Sequence, residues 1–311
     1  MEKDKPLITN ISFKVIPNII HYIYGLEENF GGKPFSFVHY LSILTAFVVN
    51  TPKKIYFHYQ FEPTGYWWDK AKEILLLRRI ELKNEIFGNK LNHYAHKADV
   101  ARLEILMKYG GIYLDIDVIC INPFTPLLKY ECVLGKEENI GLCNAVILCE
   151  ANSEFVAKWY TCYKDFDGNQ WNYHSVELPY TLAHKYPIRI WTLDEYSFFY
   201  PTNDDIVAQY MWTELDLRIT QKTVGMLRKL KRKIWFMNFA SPMNLVLHSY
   251  YSREWHYKKL SQSFCVHLWE TNWWPKYLSV ITPQYILENN SNFPRIIRSI
   301  LKKNDNLRKI K

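Results

Sequence analysis

The chain has 311 residues, room for one large domain or two small ones, and 48% of them are hydrophobic, enough for a substantial core. Its net charge of +8 is local. The run Arg228, Lys229, Lys231, Arg232 and Lys233 carries +5 and residues 292–311 carry +6, so the remaining body is slightly acidic, which excludes a body-wide nucleic-acid platform.

In chain order, residues 16–24 predict a buried strand that stops at Gly25. Residues 26–36 form a loop with Gly31, Gly32 and Pro34, residues 37–49 predict a helix, and 54–59 predict a second strand after Pro52. A helix is expected at 66–77 and a third strand at 79–82. Residues 96–117 then pack a short amphipathic helix, a Gly-Gly stop and a short strand. Strands are expected at 131–134 and 144–148, and helices at 153–164 and 176–185. Residues 200–262, with the basic run and several aromatic segments, read as a helical or irregular lid or acceptor region, and 264–269 as a late strand. This strand–helix alternation argues for an α/β fold with a parallel sheet. With no internal repeat or low-complexity linker, one domain over 1–311 is expected. Its parts are a nucleotide-sugar-binding part at 16–150, an acceptor or closing part at 151–274, and a basic tail at 292–311.

No run approaches the roughly 20 apolar residues that span a bilayer. Residues 1–6 are charged and lack an apolar leader core. The six cysteines include no Cys-x-x-Cys, and several sit in apolar runs such as Val118-Ile119-Cys120-Ile121. They read as reduced, buried thiols rather than a zinc site. A cytoplasmic or host-cytosolic enzyme is the expectation.

The 96–117 segment holds the chemistry. Val100, Leu103, Leu106 and Met107 fall at helical spacing, and Asp99 and Arg102, three apart, share a helix face. Gly110 and Gly111 end the helix, and Ile112, Tyr113 and Leu114 form a strand that delivers Asp115 and Asp117 to its C-terminal edge, where open α/β sheets bind ligands. In an extended strand the two carboxylates point the same way. Such a pair suits a hard divalent cation, with one carboxylate on the ion and its neighbour on a ribose or sugar hydroxyl or a metal-bound water. Asn144, at the start of an apolar strand, is either a donor-sugar contact or a turn residue. His21 is read as a hydrogen-bonded core histidine.

The pattern Asp99-x-x-Arg102 … Tyr109-Gly110-Gly111-x-Tyr113-x-Asp115-x-Asp117 resembles the glycosyltransferases with an Asp-x-Asp sugar-binding region. That family includes α-1,4-galactosyl-, α-1,4-N-acetylglucosaminyl- and α-1,6-mannosyltransferases, with a more distant likeness to the glucosylating domains of large bacterial toxins. The resemblance covers residues 16–120 and resumes at 264–274. It implies a GT-A architecture: a Rossmann-like, mostly parallel sheet flanked by helices, with an elaborated second half. It implies Mn²⁺ or Mg²⁺, a sugar-nucleotide donor (UDP-hexose ahead of GDP-mannose), retention of anomeric configuration, and a glycan, lipid or protein acceptor.

The resemblance also assigns roles. Tyr24 stacks on the base, unless it is simply core. Asp99 meets the ribose or donor sugar, and Arg102 the sugar or diphosphate. The segment His267-Leu268-Trp269-Glu270-Thr271-Asn272-Trp273-Trp274 closes over the diphosphate. There His267 is the first choice and Glu270 the second to complete the metal shell, and Trp273 donates its indole N–H to the leaving phosphate. Asn272 stands where the family often has Ser. Glu177, Asp204 and Asp205 are candidates for acceptor contacts. The charge of the two basic segments suits an anionic membrane surface, an anionic acceptor or a nucleic acid. Two readings compete: a metal-dependent phosphohydrolase built on the same aspartates, which would want further ligands, and a non-catalytic module binding sugar or nucleic acid.

Overall fold

The structure is a computed structural model that describes residues 15–30, 34–202, 205–214, 242–303 and 305–310. Asp204 and the basic run at 228–233 lie outside the described residues.

Strand β1 (Ile19–Ile23) pairs in parallel with β2 (Lys54–Tyr59), with His21 opposite Tyr56. The crossover between them is helix α1 (Phe37–Asn50), where the Ser36 N–H donates to His39 Nδ1 at 3.0 Å. Helix α2 (Tyr66–Lys72) then leads into β3 (Leu76–Arg79), parallel to β2. The expected helix at 66–77 therefore ends early, and the third strand begins before residue 79. Ile74-Leu75-Leu76-Leu77 is a short, all-apolar run whose spacing does not separate helix from strand. Pairing with Tyr56–Tyr59 decides for strand.

A two-residue ribbon, β4 (Glu85–Ile86) with β5 (Asn89–Lys90), precedes helix α3 (Tyr94–Tyr109). Gly110 closes that helix, its N–H donating to the Leu106 carbonyl at 2.8 Å. Strand β6 (Gly111–Leu114) pairs in parallel with β1. Beyond it come β7 (Val118–Cys120), β8 (Cys132–Glu137) and β9 (Gly141–Cys149). Helices α4 (Glu154–Thr161) and α5 (Leu178–Lys185), β10 (Trp191–Leu193) and β11 (Cys265–His267) complete the elements near the sheet.

The main sheet has the order β10-β8-β9-β6-β1-β2-β3. Only β9 runs against the others, through antiparallel pairing to both β6 and β8. This is the mostly parallel, Rossmann-like sheet flanked by helices that the resemblance implies. The late strand is confirmed as β11, which pairs antiparallel with β7 in a separate two-stranded sheet, His267 opposite Val118.

Alternation along β1 divides the core. Ile20 and Tyr22 pack on the side of α1, and Ile23 packs with Leu103 and Leu106 of α3 on the other. Residues 292–303 are not a plain basic tail. They form a helix, Asn292–Lys303, whose Phe293, Ile296, Ile297, Ile300 and Leu301 are buried in the α1-side core. Its basic residues are partly spent inside the fold. Arg295 pairs with Glu254 at 2.8 Å, and Arg298 donates to the Ile286 and Asn289 carbonyls at 2.5 and 2.7 Å. Among the described residues, no helix is long and apolar enough to cross a membrane.

Candidate active site

A cleft of about 490 Å³ opens at the C-terminal ends of β1 and β6. Its walls come from the β1 loop (Tyr24, Leu26), the first turns of α3 (His96, Asp99, Arg102), the Asp115–Asp117 turn, β9 (Asn144), residues 171–176, and the segment after β11 (His267, Trp269, Glu270).

Two glycines allow the approach to this site. Gly110 and Gly111 have φ of +62° and +112°, and a Cβ at either would lie 2.5 Å from backbone, from the Ala151 nitrogen and the Ile19 carbonyl oxygen respectively. No other residue fits where α3 turns so abruptly into a central strand.

The two aspartates do not lie in an extended strand as expected. The Val118 N–H donates to the Asp115 carbonyl at 3.0 Å, so residues 115–117 form a tight turn between β6 and β7. The turn still converges both carboxylates on one point. Ligand atoms of Asp115, Asp117 and His267 all lie within 4.8 Å of one another.

Each aspartate is held differently. Asp115 accepts from the Tyr113 hydroxyl at 2.5 Å and faces Arg102 Nη1 at 3.3 Å. Burial raises its pKa against the pull of Arg102 and His267. Asp117 takes His267 Nε2 at 3.1 Å on Oδ1 and the Glu270 N–H at 2.8 Å on Oδ2. Burial works upward on it too, but His267 and that N–H outweigh it, and its pKa falls. His267 moves the opposite way: burial pushes its pKa down, and Asp117, Asp115 and Glu137 pull it up further. Its Nδ1 is buried and has no hydrogen-bond partner among the described residues. Two carboxylates and one imidazole around a common point fit a divalent cation.

Beside this cluster, Arg102 is buried, a costly place for a charge unless it is fully partnered. Asp99 lies 3.3 Å from Nη2, the Asn144 and Ala98 carbonyls accept from Nη1 and Nε at 2.9 and 3.3 Å, and the Tyr113 ring lies 4.5 Å from the guanidinium carbon. Asn144 in turn donates to Asp99 at 2.7 Å. Asp99, Arg102, Asp115 and Asn144, all candidates in the sequence, thus form one network along the cleft.

Comparisons with known proteins bear on the family of the chain. Residues 41–134 match the family described as glycosyltransferase sugar-binding region containing DXD motif. Glucan organizing enzyme 1 of Cryptococcus neoformans is 34% identical over 311 residues, which span 96% of this chain and 74% of that protein. The chain belongs to the DXD-containing glycosyltransferase family. Inositol phosphoceramide mannosyltransferase 3 of Schizosaccharomyces pombe is 47% identical over 51 residues, 16% of this chain and 14% of that protein. Among solved structures, PaToxG glycosyltransferase aligns with 80% of this chain and 87% of its own at 18% identity and a TM-score of 0.41.

Some expected site residues stand elsewhere in this glycosyltransferase. Trp273 is 1% exposed, packs against Trp212 with ring centroids 5.9 Å apart, and is absent from the cleft lining. The single helical turn Glu270–Trp273 carries its indole into the core and leaves Thr271 and Asn272 at the cleft. Trp269 is the tryptophan of this segment that borders the cleft. Glu270 reaches the Asp117 side of the site through its backbone, while its carboxylate accepts from His39 Nε2 at 2.9 Å. Because His39 Nδ1 accepts from Ser36, the proton must sit on Nε2. Tyr24 lines the cleft with its ring stacked on Phe30 at 5.8 Å. Glu177 is not among the cleft-lining residues.

Sequence reasoning missed His39, whose role depends on a contact 231 positions away. Tyr113 gave a signal that went unused, since residues two apart on a strand share a side and its hydroxyl falls on Asp115.

Proposed function

We propose that this glycosyltransferase is a divalent-metal-dependent hexosyltransferase that uses a sugar nucleotide, UDP-hexose ahead of GDP-mannose, and retains the anomeric configuration. The observation that carries the reading is the convergence of Asp115, Asp117 and His267 within 4.8 Å, next to the Asp99–Arg102–Asn144 network. The two aspartates and His267 would hold Mn²⁺ or Mg²⁺. When bound, the ion supplies positive charge to the diphosphate as its bond to the sugar breaks.

The protein's residues do the rest. Arg102, fixed by its carboxylate and carbonyl partners, presents a rigid guanidinium toward the sugar–phosphate region. Asp99 and Asn144 offer groups to sugar hydroxyls, and Tyr24 offers a ring face to the base. Residues of the segment 267–272 line the cleft, where they would shield the diphosphate from water once the donor is bound. In the transfer itself the bond from the anomeric carbon to the phosphate oxygen breaks and a bond to the acceptor hydroxyl oxygen forms. The hydroxyl proton passes to the departing phosphate, so no dedicated general base is required. Contact with an anionic membrane would fall to Lys302 and Lys303 and to the run at 228–233.

The test is nucleotide release from UDP-glucose, UDP-galactose, UDP-N-acetylglucosamine and GDP-mannose, with and without Mn²⁺. Metal-dependent release from one donor is expected. Equal release without metal would overturn the metal-dependent reading, and release of inorganic phosphate from simple phosphate esters would favour a hydrolase.

A further inference from the structure

The metal cluster and the Arg102 network occupy only part of the cleft. His96, Asp99 and Arg102 follow one another at three-residue spacing on one face of α3, so the lining continues from Arg102 toward the helix N-terminus. At that end Trp171 lines the cleft while 56% exposed, and Tyr94 lines it while 39% exposed. Large apolar rings left open at the mouth of a polar cleft need a reason.

The Trp171 ring is held from its sides. The His93 ring meets it edge-on at 4.8 Å and 78°, and the His96 ring lies 5.2 Å away at 50°. Two ring contacts thus position the exposed indole at the mouth of the cleft. Polar groups near it are uncommitted. His96 is buried to 5% exposure, and among the described residues no group bonds its Nε2 or the exposed Asn172 carboxamide. Asn172 immediately precedes a π-helical turn, Tyr173–Glu177, and Ser175 lies within it; both line the cleft, and such turns are often found at functional sites.

We propose that Trp171, Tyr94, His96 and Asn172 form the acceptor subsite, and that the acceptor is the pyranose end of a glycan. This rests on the proposed donor reading and extends it. A pyranose has a flat C–H face and a rim of hydroxyls, which match an indole face edged by an imidazole and a carboxamide. A lipid tail would want a continuous apolar trough, and this end of the cleft is interrupted by His96, Asn172 and Ser175. One ring hydroxyl of the bound sugar attacks the donor's anomeric carbon. The glycosyl–phosphate bond breaks, and the proton goes to the departing phosphate.

The experiment uses the full chain with Mn²⁺ and the donor that gives nucleotide release. Transfer to methyl α-mannoside and the methyl α- and β-glucosides and galactosides is measured beside hydrolysis of the same donor by water. One of these glycosides should accelerate nucleotide release saturably. Trp171→Ala should raise the KM for that glycoside tenfold or more and lower the ratio of transfer to hydrolysis by a similar factor. Trp171→Tyr should restore most of both. Trp191→Ala, an exposed tryptophan outside the cleft lining, should change neither. The proposal is overturned if donor is hydrolysed but no glycoside accelerates release, or if Trp171→Ala leaves the glycoside KM unchanged. It is equally overturned if transfer and hydrolysis fall together. Absence of hydrolysis with every donor would instead defeat the donor reading.

Discussion

Asp117 and Asp115 differ in what surrounds them, and substitutions should show it. Asp117 is bound by an imidazole and a backbone N–H, while Asp115 is bound by a phenol and an arginine. If Asp117 is a direct ligand, Asp117→Ala should lower nucleotide release by about 10³-fold or more, roughly 4 kcal/mol of barrier. Steady-state rates over a Mn²⁺ range would check this, and near-normal turnover would reject the assignment. Glu270 separates two roles. Its carboxylate serves His39 and its backbone serves Asp117, so Glu270→Gln, which still accepts from His39 Nε2, should cost about tenfold or less, the scale of one hydrogen bond. A loss of the size seen for Asp117→Ala would make Glu270 a ligand. Tyr24→Ala should weaken nucleotide binding by about 1–3 kcal/mol if the ring stacks on a base. Calorimetry with UDP and GDP would decide, unchanged affinity for both returning Tyr24 to the core.

At the scale of elements, the turn from α3 into β6 controls the site. Gly110→Ala forces a side chain into positive φ and within 2.5 Å of the Ala151 nitrogen. Backbone strain alone should cost about 1–3 kcal/mol, visible as a fall in Tm by scanning calorimetry. Gly168→Ala meets nothing nearer than 3.6 Å and should stay within about 0.5 kcal/mol. Equal melting of the two variants would remove the glycine argument. This turn was legible in the sequence because helix periodicity, Gly-Gly and Asp-x-Asp follow without interruption. The tight turn at Asp115–Asp117 was not, since a two-residue period is silent about where a strand stops. The Trp273 error has a similar origin. One turn of helix, too short to leave a periodic pattern, decides that Trp269 and not Trp273 borders the cleft.

Across the whole molecule, β1, β2 and α3 are joined by a buried histidine pair. His21 Nε2 lies 3.1 Å from the Gly110 carbonyl and must donate to it, so His21 Nδ1 accepts from His58 Nε2, also at 3.1 Å. Burial lowers the His21 pKa from 6.5 to about 4, partly opposed by the Gly110 bond, and burial with His21 and Arg78 lowers that of His58 to about 3. Both are neutral in the fold and protonate more readily when unfolded. Their contribution is therefore complete above pH 6.5 and is lost as pH falls from 6.5 toward 4. The loss for His21 alone is of order 3 kcal/mol. Urea denaturation between pH 7.5 and 4.5 should show this slope, and His21→Gln should flatten it. A wild-type midpoint constant across the range would contradict the neutral-pair description.

Asp115, Asp117 and His267 meet at one point in space. The most direct measurement is Mn²⁺ binding followed by electron paramagnetic resonance in the presence of UDP, for the full chain and for Asp117→Asn. One UDP-enhanced Mn²⁺ site per chain is expected, weakened at least tenfold by the substitution while the circular dichroism spectrum is unchanged. An unaltered Mn²⁺ titration in Asp117→Asn, with UDP still bound, would contradict it.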